Sequence, residues 1–186
     1  MTNNAAPSVR NGDRRVRRTH HALTRALVEL VLANRYDGIT IQNLLDRADV
    51  GRSTFYAHFR GKDDLLLRSF ERMLDMFDGA IERDPPSSRR VAPVRELFAH
   101  VGDVRPFQQA LARARIVDRQ YQAGIEHMSG TIERRLAALP ASDVPPAVRA
   151  RALAGALFAL LRWWIEADAP HTPEEMDRMF HAMVER

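Results

Sequence analysis

The sequence contains no cysteine. This absence excludes disulfide bonds, thiolate zinc sites and thiol-based redox sensing, and a cytoplasmic location is the expectation that fits it. Long apolar runs are missing as well, since no stretch reaches the roughly 20 apolar residues of a membrane-spanning helix. No signal-peptide pattern opens the chain. We therefore expect a cytoplasmic protein that does not enter a membrane.

Signatures of catalysis and of metal binding are also absent. The sequence has no nucleophile elbow, no phosphate-binding glycine loop and no dinucleotide fingerprint. The neighbouring Asp63 and Asp64 would diverge on a helix, and the dipole of a helix start explains them better than acid–base chemistry. His127 and His171 each have acidic neighbours but lack the ligand spacing of a zinc site. We expect no enzymatic activity, no cofactor and no metal.

Lysine is nearly absent and occurs only as Lys62, so that arginine supplies almost all of the positive charge. Up to and including Lys62 the sequence has 11 basic and 5 acidic residues, a net charge of +6. The remainder has 17 basic and 19 acidic residues, a net charge of −2. The basic excess therefore lies in the N-terminal third. It favours a polyanionic partner there, although a solvated basic face or a membrane-surface patch would have the same charge.

The stretch 39–67 has the pattern of a short helix, a tight turn, a second short helix and the start of a third. Thr40 is placed to cap the first helix, and Asn43, three residues later, would complete a weak capping box. Asp49 and Gly51 interrupt the helical pattern, because both tolerate backbone conformations that most residues avoid.

The second of these helices, expected over about residues 52–59, has two different faces. Phe55 and Phe59 would point together into a core. The opposite face carries small residues edged by hydroxyl, imidazole and guanidinium groups. Such a thin face suits insertion into the major groove of DNA, with donors at its rim meeting phosphates. A helical hairpin whose polar face is merely solvated is the alternative.

The run T-I-x-x-L-L-x-R-A-x-V-G-R-S-T-F-Y-A-H-F-x-x-K-D-x-L resembles the N-terminal helix-turn-helix of the TetR family of bacterial repressors, over about residues 14–70. The resemblance implies a homodimer that binds double-stranded operator DNA and a C-terminal helical domain that senses a small molecule. It further implies phosphate contacts by Thr40, Thr54, Tyr56, His58 and Lys62, and base contacts by Arg52, Ser53 and Ala57. Asp49 and Gly51 depart from the family pattern, which more often has Gly and a capping Ser there.

The expected fold is all-α, with three parts. Residues 1–12 read as a flexible tail, 13–61 as a three-helix helix-turn-helix DNA-binding domain, and 62–186 as a helical effector-binding and dimerisation domain. A cluster of arginines at the junction of the tail and the first helix could reach the DNA backbone or a minor groove, or could simply be solvated. A helix over about 63–83 would connect the two domains until the prolines at 85 and 86 end it.

An effector pocket is expected among the helices of the C-terminal domain, mostly apolar with a few polar groups. Its candidate walls are Phe70, Met73, Phe77, Phe98, Phe107 and Tyr121, each of which could instead be ordinary core. Gln108, Gln109, His100 and Arg113 could supply polarity. The expected ligand is an unidentified apolar or amphipathic small molecule.

The segment 147–168 is apolar around most of its circumference, so a helix there must be covered on most sides. A partner subunit in a two-fold homodimer is the simplest cover, and a central core helix of a monomer is the alternative. The candidate interface residues are Ala152, Gly155, Ala156, Ala159, Trp163, Met176, Met179, Phe180 and Met183.

The function predicted from these patterns is a dimeric repressor that binds palindromic operator DNA and is released by a small-molecule effector. A TetR-like adaptor that acts through a protein partner without binding DNA is the alternative, and the basic N-terminal third argues against it. A small helical enzyme or ligand carrier is a third possibility.

Overall fold

The computed structural model describes residues 7–85, 88–112, 114–140, 142–167 and 170–184, and the regular secondary structure of these residues consists of helices. The helices are α1 (Pro7–Ala33), α2 (Ile41–Ala48), α3 (Arg52–Tyr56), α4 (Lys62–Ile81), α5 (Val94–Asp103), α6 (Arg105–Leu111), α7 (Ile116–Leu136), α8 (Pro146–Glu166) and α9 (Pro173–Val184), with a 3₁₀ turn at Tyr36–Gly38. The predicted all-α class is confirmed. None of the described helices has the length and apolarity needed to cross a membrane.

The chain divides into two compact units, with the boundary between Leu66 and Leu67. The N-terminal unit contains α1, α2, α3 and the first turn of α4. The C-terminal unit contains the rest of α4 and the helices that follow. Because α4 begins in the first unit and ends in the second, a single helix connects them without a break.

The first helix begins earlier than the sequence suggested. Residues 7–12, expected to belong to a flexible tail, are helical, and Pro7 occupies the first position. Proline suits that position because its fixed φ angle is already helical and its missing N–H would have no partner there. Residues 1–6 of the expected tail lie outside the described residues.

The core of the N-terminal unit joins α1, α2 and α3. Leu23, Leu27, Leu44, Phe55 and Phe59 are all buried within it. Each fully buried side chain of this size contributes roughly 1.5–3 kcal/mol, which stabilises a unit of only about 60 residues. This core therefore fixes which face of α3 points outward.

The core of the C-terminal unit is centred on the packing of α7 against α8. Gly124 makes this packing possible, because the ring of Phe158 on α8 occupies the space that a Cβ atom would need. α9 lies antiparallel to α8 and is tied to it at both ends. Arg149 Nη2 donates to the Val184 carbonyl at 3.1 Å, and Trp164 Nε1 donates to the His171 carbonyl at 2.9 Å.

Three residues assigned from the sequence to a pocket wall or an interface lie in this core instead. Phe98 and Phe180 are 0% exposed and Met176 is 2% exposed. Helical spacing identifies an apolar stripe but not what covers it, and the chain's own helices cover these three. Met176 and Phe180 are consequently unavailable to a partner subunit, and Phe98 is core rather than pocket wall.

Candidate functional site

α2 has the start that its sequence predicts. The Thr40 hydroxyl accepts from the backbone N–H of Asn43 at 3.1 Å, and the Asn43 side-chain oxygen accepts from the Thr40 N–H at 3.0 Å. The predicted capping box is therefore confirmed. Thr40 is exposed, so its hydroxyl lies at the surface while it holds the helix start in place.

The turn between α2 and α3 is made by Asp49 in the left-handed conformation, with φ 51° and ψ 50°. Asp49 stands where the family more often has glycine, and it adopts the conformation that glycine would adopt at lower cost. Gly51 has an extended backbone and opens α3 without a side-chain cap. Both departures from the family pattern thus preserve the turn.

α3 presents a small polar surface. Phe55 is fully buried below it, whereas Tyr56 is 51% exposed and meets the Phe55 ring edge-on at 5.3 Å. Ser53 and Ala57 are also exposed, and Thr54 and His58 are half-buried at the side. The α-helix ends at Tyr56 rather than at residue 59 as expected, although Phe59 still bonds to the Phe55 carbonyl at 2.8 Å.

Arg52, at the start of α3, is held by a short chain of hydrogen bonds from α2. Its Nη2 donates to the Gln42 oxygen at 2.8 Å, and Gln42 Nε2 donates to Asp46 Oδ1 at 2.6 Å. Neither partner was among the residues predicted from the sequence. Their spacing of four residues on α2 is the signal that could have found them, because such pairs are neighbours on a helix surface.

An open groove of about 400 Å³ lies between α1 and α3. Arg15, Val16 and Thr19 line one side, and Ser53, Thr54, Ala57 and His58 line the other. Arg15 belongs to a run of exposed arginines on α1, namely Arg14, Arg15, Arg17 and Arg18. This run places positive charge beside the polar face of α3.

Lys62 does not lie as the resemblance implied. Its ammonium group donates to the carbonyls of Tyr36 and Ile39, each at 2.7 Å, and of Asp37 at 3.3 Å. It also lies over the Tyr36 ring, 4.6 Å from the centroid. The Tyr36 hydroxyl in turn donates to Asp63 Oδ1 at 2.6 Å. Lys62 therefore holds the turn between α1 and α2, and its donors are directed inward rather than toward a phosphate.

The C-terminal unit contains a cavity of about 30 Å³. Its walls come from α4, α5, α6, α7 and α8, and include Phe70, Gln108, Gln120, Tyr121, Phe158, Arg162 and Glu166. Phe70 and Tyr121, two of the predicted pocket residues, are therefore among the residues that line this cavity. Met73 and Phe77 pack against the core, and Phe107 is outside the lining. Of the residues expected to supply polarity, Gln108 lines the cavity and Arg113 lies outside the described residues.

The remaining interface candidates lie on the outer faces of α8 and α9. Trp163, Met179 and Met183 are exposed at 45%, 42% and 48%. Ala152 and Ala159 are exposed and Gly155 and Ala156 half-buried, forming a narrow strip along α8 in line with Trp163. A Cβ atom added at Gly155 would meet open space. These helices therefore have an apolar surface that their own unit leaves uncovered.

Comparison with known proteins shows what this helix-turn-helix is similar to. The model of the bacterial regulatory proteins of the tetR family matches residues 23–68, a range that includes α2 and α3. TcmR, an HTH-type transcriptional regulator of Streptomyces glaucescens, is 27% identical over 174 residues, which cover 83% of this chain and 77% of TcmR. YxbF, an uncharacterized HTH-type transcriptional regulator of Bacillus subtilis, is 42% identical over 62 residues, which cover 32% of this chain and 16% of YxbF.

The fold extends the match beyond the N-terminal unit. The structure of a TetR-family regulator from Syntrophomonas wolfei has a TM-score of 0.67 to this protein at 18% identity, covering 90% of this chain and 93% of that one. The two sequence relatives are named as transcriptional regulators, which agrees with the prediction that this protein is not an enzyme. The matched helix-turn-helix and the relative aligned over most of the chain lead to one conclusion: residues 23–68 form a DNA-binding domain of the tetR family of bacterial regulatory proteins, in a chain similar over most of its length to a transcriptional regulator.

Proposed function

We propose that this regulator is a homodimeric repressor that binds a palindromic operator and leaves it when a small molecule binds its C-terminal unit. The observation that carries the proposal is the exposed face of α3, with Ser53, Tyr56 and Ala57 outward above the buried Phe55. The major groove of DNA admits a helix whose inner face packs on its own domain and whose outer face carries mostly small side chains.

The proposed contacts fall into two classes. Thr40, Thr54, Tyr56 and His58 would meet phosphates at the rim of the groove, and these contacts would fix the register of the helix on the duplex. Arg52, Ser53 and Ala57 would face base edges, with Arg52 suited to a guanine. The arginines of α1 would add sequence-independent attraction to the neighbouring backbone.

Dimerisation is supported by the uncovered apolar surface of α8 and α9. The strip of small residues along α8 lets a second helix approach closely, and Trp163 and Met179 provide the larger apolar contacts. Two-fold dimers are the commonest oligomers of soluble proteins. In such a dimer two copies of α3 would bind half-sites about 34–36 Å apart, or a multiple of that distance, on a palindrome.

Release by an effector is supported by the position of the cavity. Phe70, which lines it, is on α4, and α4 begins in the DNA-binding unit. If one conformation of this wall belongs to the DNA-binding form of the dimer and another does not, a molecule that prefers the second lowers the fraction of dimers able to bind DNA. The size of the effect is set by the difference in its affinity for the two conformations.

The DNA contacts are tested by gel shift and by fluorescence anisotropy on the palindromic duplex upstream of the gene. Arg15→Ala should weaken binding to every duplex and lower the slope of log K against log salt by about 1, because one phosphate contact is lost. Arg52→Ala should cost about 1–3 kcal/mol on the operator and relax the preference at one base position.

Arg151→Ala, which removes an exposed arginine from α8, is the matched control and should change neither measurement. An Arg52→Ala protein that keeps its full base preference would remove the proposed base contact. Wild-type protein that binds palindromic and scrambled duplexes equally well would remove the proposed operator.

A further inference from the structure

Three side chains form a chain of hydrogen bonds beside the outward face of α3. Arg52 Nη2 donates to the side-chain oxygen of Gln42 at 2.8 Å, and Gln42 Nε2 donates to Asp46 Oδ1 at 2.6 Å. All three residues are exposed, and bonds between solvated side chains add little to the stability of a fold. Their clearer effect is to restrict Arg52, the first residue of α3.

The hydrogen bonds can run in only one direction. A carboxylate accepts hydrogen bonds but cannot donate them, and a guanidinium donates but cannot accept. The Gln42 amide must therefore turn its nitrogen toward Asp46 and its oxygen toward Arg52. The spacing of four residues makes Gln42 and Asp46 neighbours on the surface of α2. Asp46 thus orients Gln42, and Gln42 in turn orients Arg52.

The bond to Gln42 leaves Arg52 able to bind a base. A guanidinium has two edges that each present a pair of parallel N–H donors, and Nη2 contributes one hydrogen to each edge. Whichever of these hydrogens binds Gln42, the other edge keeps its pair. Such a pair matches N7 and O6 of guanine in the major groove, and residues at the start of a recognition helix are the ones that reach base edges. Arg52 can therefore bind guanine without breaking its bond to Gln42.

Restriction of Arg52 before DNA binds has a thermodynamic consequence. A long side chain that rotates freely must be ordered when it binds a base, and this ordering opposes binding. An arginine that Gln42 already holds loses less freedom. Its donors also point in a fixed direction, whereas a mobile guanidinium could move to a phosphate, which carries no sequence information. The restriction therefore favours discrimination between bases.

We propose that Gln42 and Asp46 are positioning residues for sequence recognition, which hold the Arg52 guanidinium in the orientation that selects guanine at one position of the operator half-site. The inference rests on the proposed base contact of Arg52. Gln42 acts through Arg52, because both its amide oxygen and its amide nitrogen are bonded within the protein. Asp46 also brings a negative charge to the DNA-binding unit, which repels the phosphates of every sequence.

Fluorescence anisotropy with the full-length protein tests the proposal on the palindromic duplex and on duplexes that each carry one base substitution. Arg52→Ala identifies the base position that Arg52 selects. Gln42→Leu should lower the discrimination at this same position by at least about threefold, a part of the roughly 5- to 150-fold that a bidentate contact provides. The other positions should not change. In the Arg52→Ala background, Gln42→Leu should have no further effect there.

Asp46→Ala should produce two effects of opposite sign. Loss of the acceptor frees the Gln42 amide and lowers the discrimination at the Arg52 position, whereas loss of a negative charge tightens binding to scrambled DNA. A residue with only a structural role would not separate these two measurements. Asp46→Glu keeps a carboxylate acceptor for Gln42 and should retain the wild-type discrimination. Asp37→Ala, which removes an exposed acidic side chain from the turn before α2, is the charge control and should also retain it.

Three results would overturn the inference. Wild-type discrimination in Gln42→Leu or in Asp46→Ala would exclude the positioning role, and the proposed base contact would stand if Arg52→Ala still loses its preference. A loss at a different base position in Gln42→Leu would show that Gln42 contacts a base itself. If wild type binds every substituted duplex equally well, both the positioning role and the proposed base contact of Arg52 are wrong.

Discussion

Lys62 illustrates how a residue of the helix-turn-helix motif can be bound within its own domain. The motif places it where a phosphate contact is expected, yet its three donors are directed at the carbonyls of Tyr36, Asp37 and Ile39. These carbonyls belong to the turn between α1 and α2. Its role is therefore to fix the angle between two helices of the DNA-binding unit, an effect that sequence letters alone do not reveal.

Replacing Lys62 with methionine should consequently destabilise the protein rather than change its response to salt. Hydrogen bonds to charged groups contribute about 1.5–3 kcal/mol each in favourable cases, so we expect a loss of at least about 1 kcal/mol, measured by urea denaturation. At temperatures where the variant is folded, its DNA-binding salt slope should equal that of wild type. An unchanged denaturation midpoint together with a slope lowered by about 1 would show that Lys62 binds phosphate after all.

Gln120 and Phe98 differ in how far a sequence reveals whether a residue lines a cavity. Gln120 follows Val117 and precedes Gly124 at helical spacing, so it stands on the buried stripe of α7. A polar residue on such a stripe was a detectable signal. Phe98 was misassigned for the opposite reason: an apolar residue on an apolar stripe looks the same whether it lines a cavity or fills a core. Only packing distinguishes the two.

At the scale of the elements, local rules predicted the helix-turn-helix well. The capping box at Thr40 and the left-handed Asp49 depend on neighbouring residues only, which is why the sequence located both ends of α2. The start of α1 and the end of α3 were misplaced, because helix ends depend on packing as well as on propensity. The hydrogen bonds from Gln42 and Asp46 to Arg52 connect two elements, and no single-helix pattern predicts their geometry.

The contact between α4 and α7 contains a titratable link. His127 Nε2 lies 3.0 Å from Asp78 Oδ2, with Asp75 at 3.9 Å and Arg134 3.6 Å from Asp78. The hydrogen bond to Asp78 raises the pKa of His127 above its usual 6.5, and the nearby carboxylates add to this effect against the opposing influence of burial. The folded state therefore favours the protonated imidazole.

This link should stabilise the protein fully below pH 6.5, the unfolded value, and lose its contribution as the pH rises through the higher folded value. His127→Gln keeps a donor for Asp78 but does not titrate, so the difference in unfolding free energy between wild type and variant should shrink as the pH rises above 6.5 and through the higher folded value. Denaturation at several pH values measures it. A constant difference would show that His127 has no raised pKa. His181, whose pKa burial lowers, is unchanged in both proteins and cancels from the comparison.

At the scale of the whole molecule, the proposed function depends on two copies acting together. The uncovered strip on α8 consists of small residues, and a charge placed there would be buried without a partner in a close helix pair. It would be solvated in a monomer. A substitution on this strip therefore separates assembly from folding.

Wild type should sediment at about twice the 21.2 kDa of one chain, and Ala159→Glu should sediment as a folded monomer with weakened binding to palindromic DNA. Analytical ultracentrifugation and circular dichroism measure mass and folding. Ala137→Glu, at an exposed position after α7, should remain dimeric. A dimeric Ala159→Glu protein would locate the interface elsewhere.

The enclosure of Lys62 has a practical consequence. It carries the only side-chain amine in the sequence, and an ammonium that donates to three carbonyls cannot react with an acylating reagent until those bonds break. The rate at which this one amine is acylated should therefore report how often the turn between α1 and α2 opens. The protein thus contains an internal probe of the local dynamics of its DNA-binding unit, and the probe requires no engineered label.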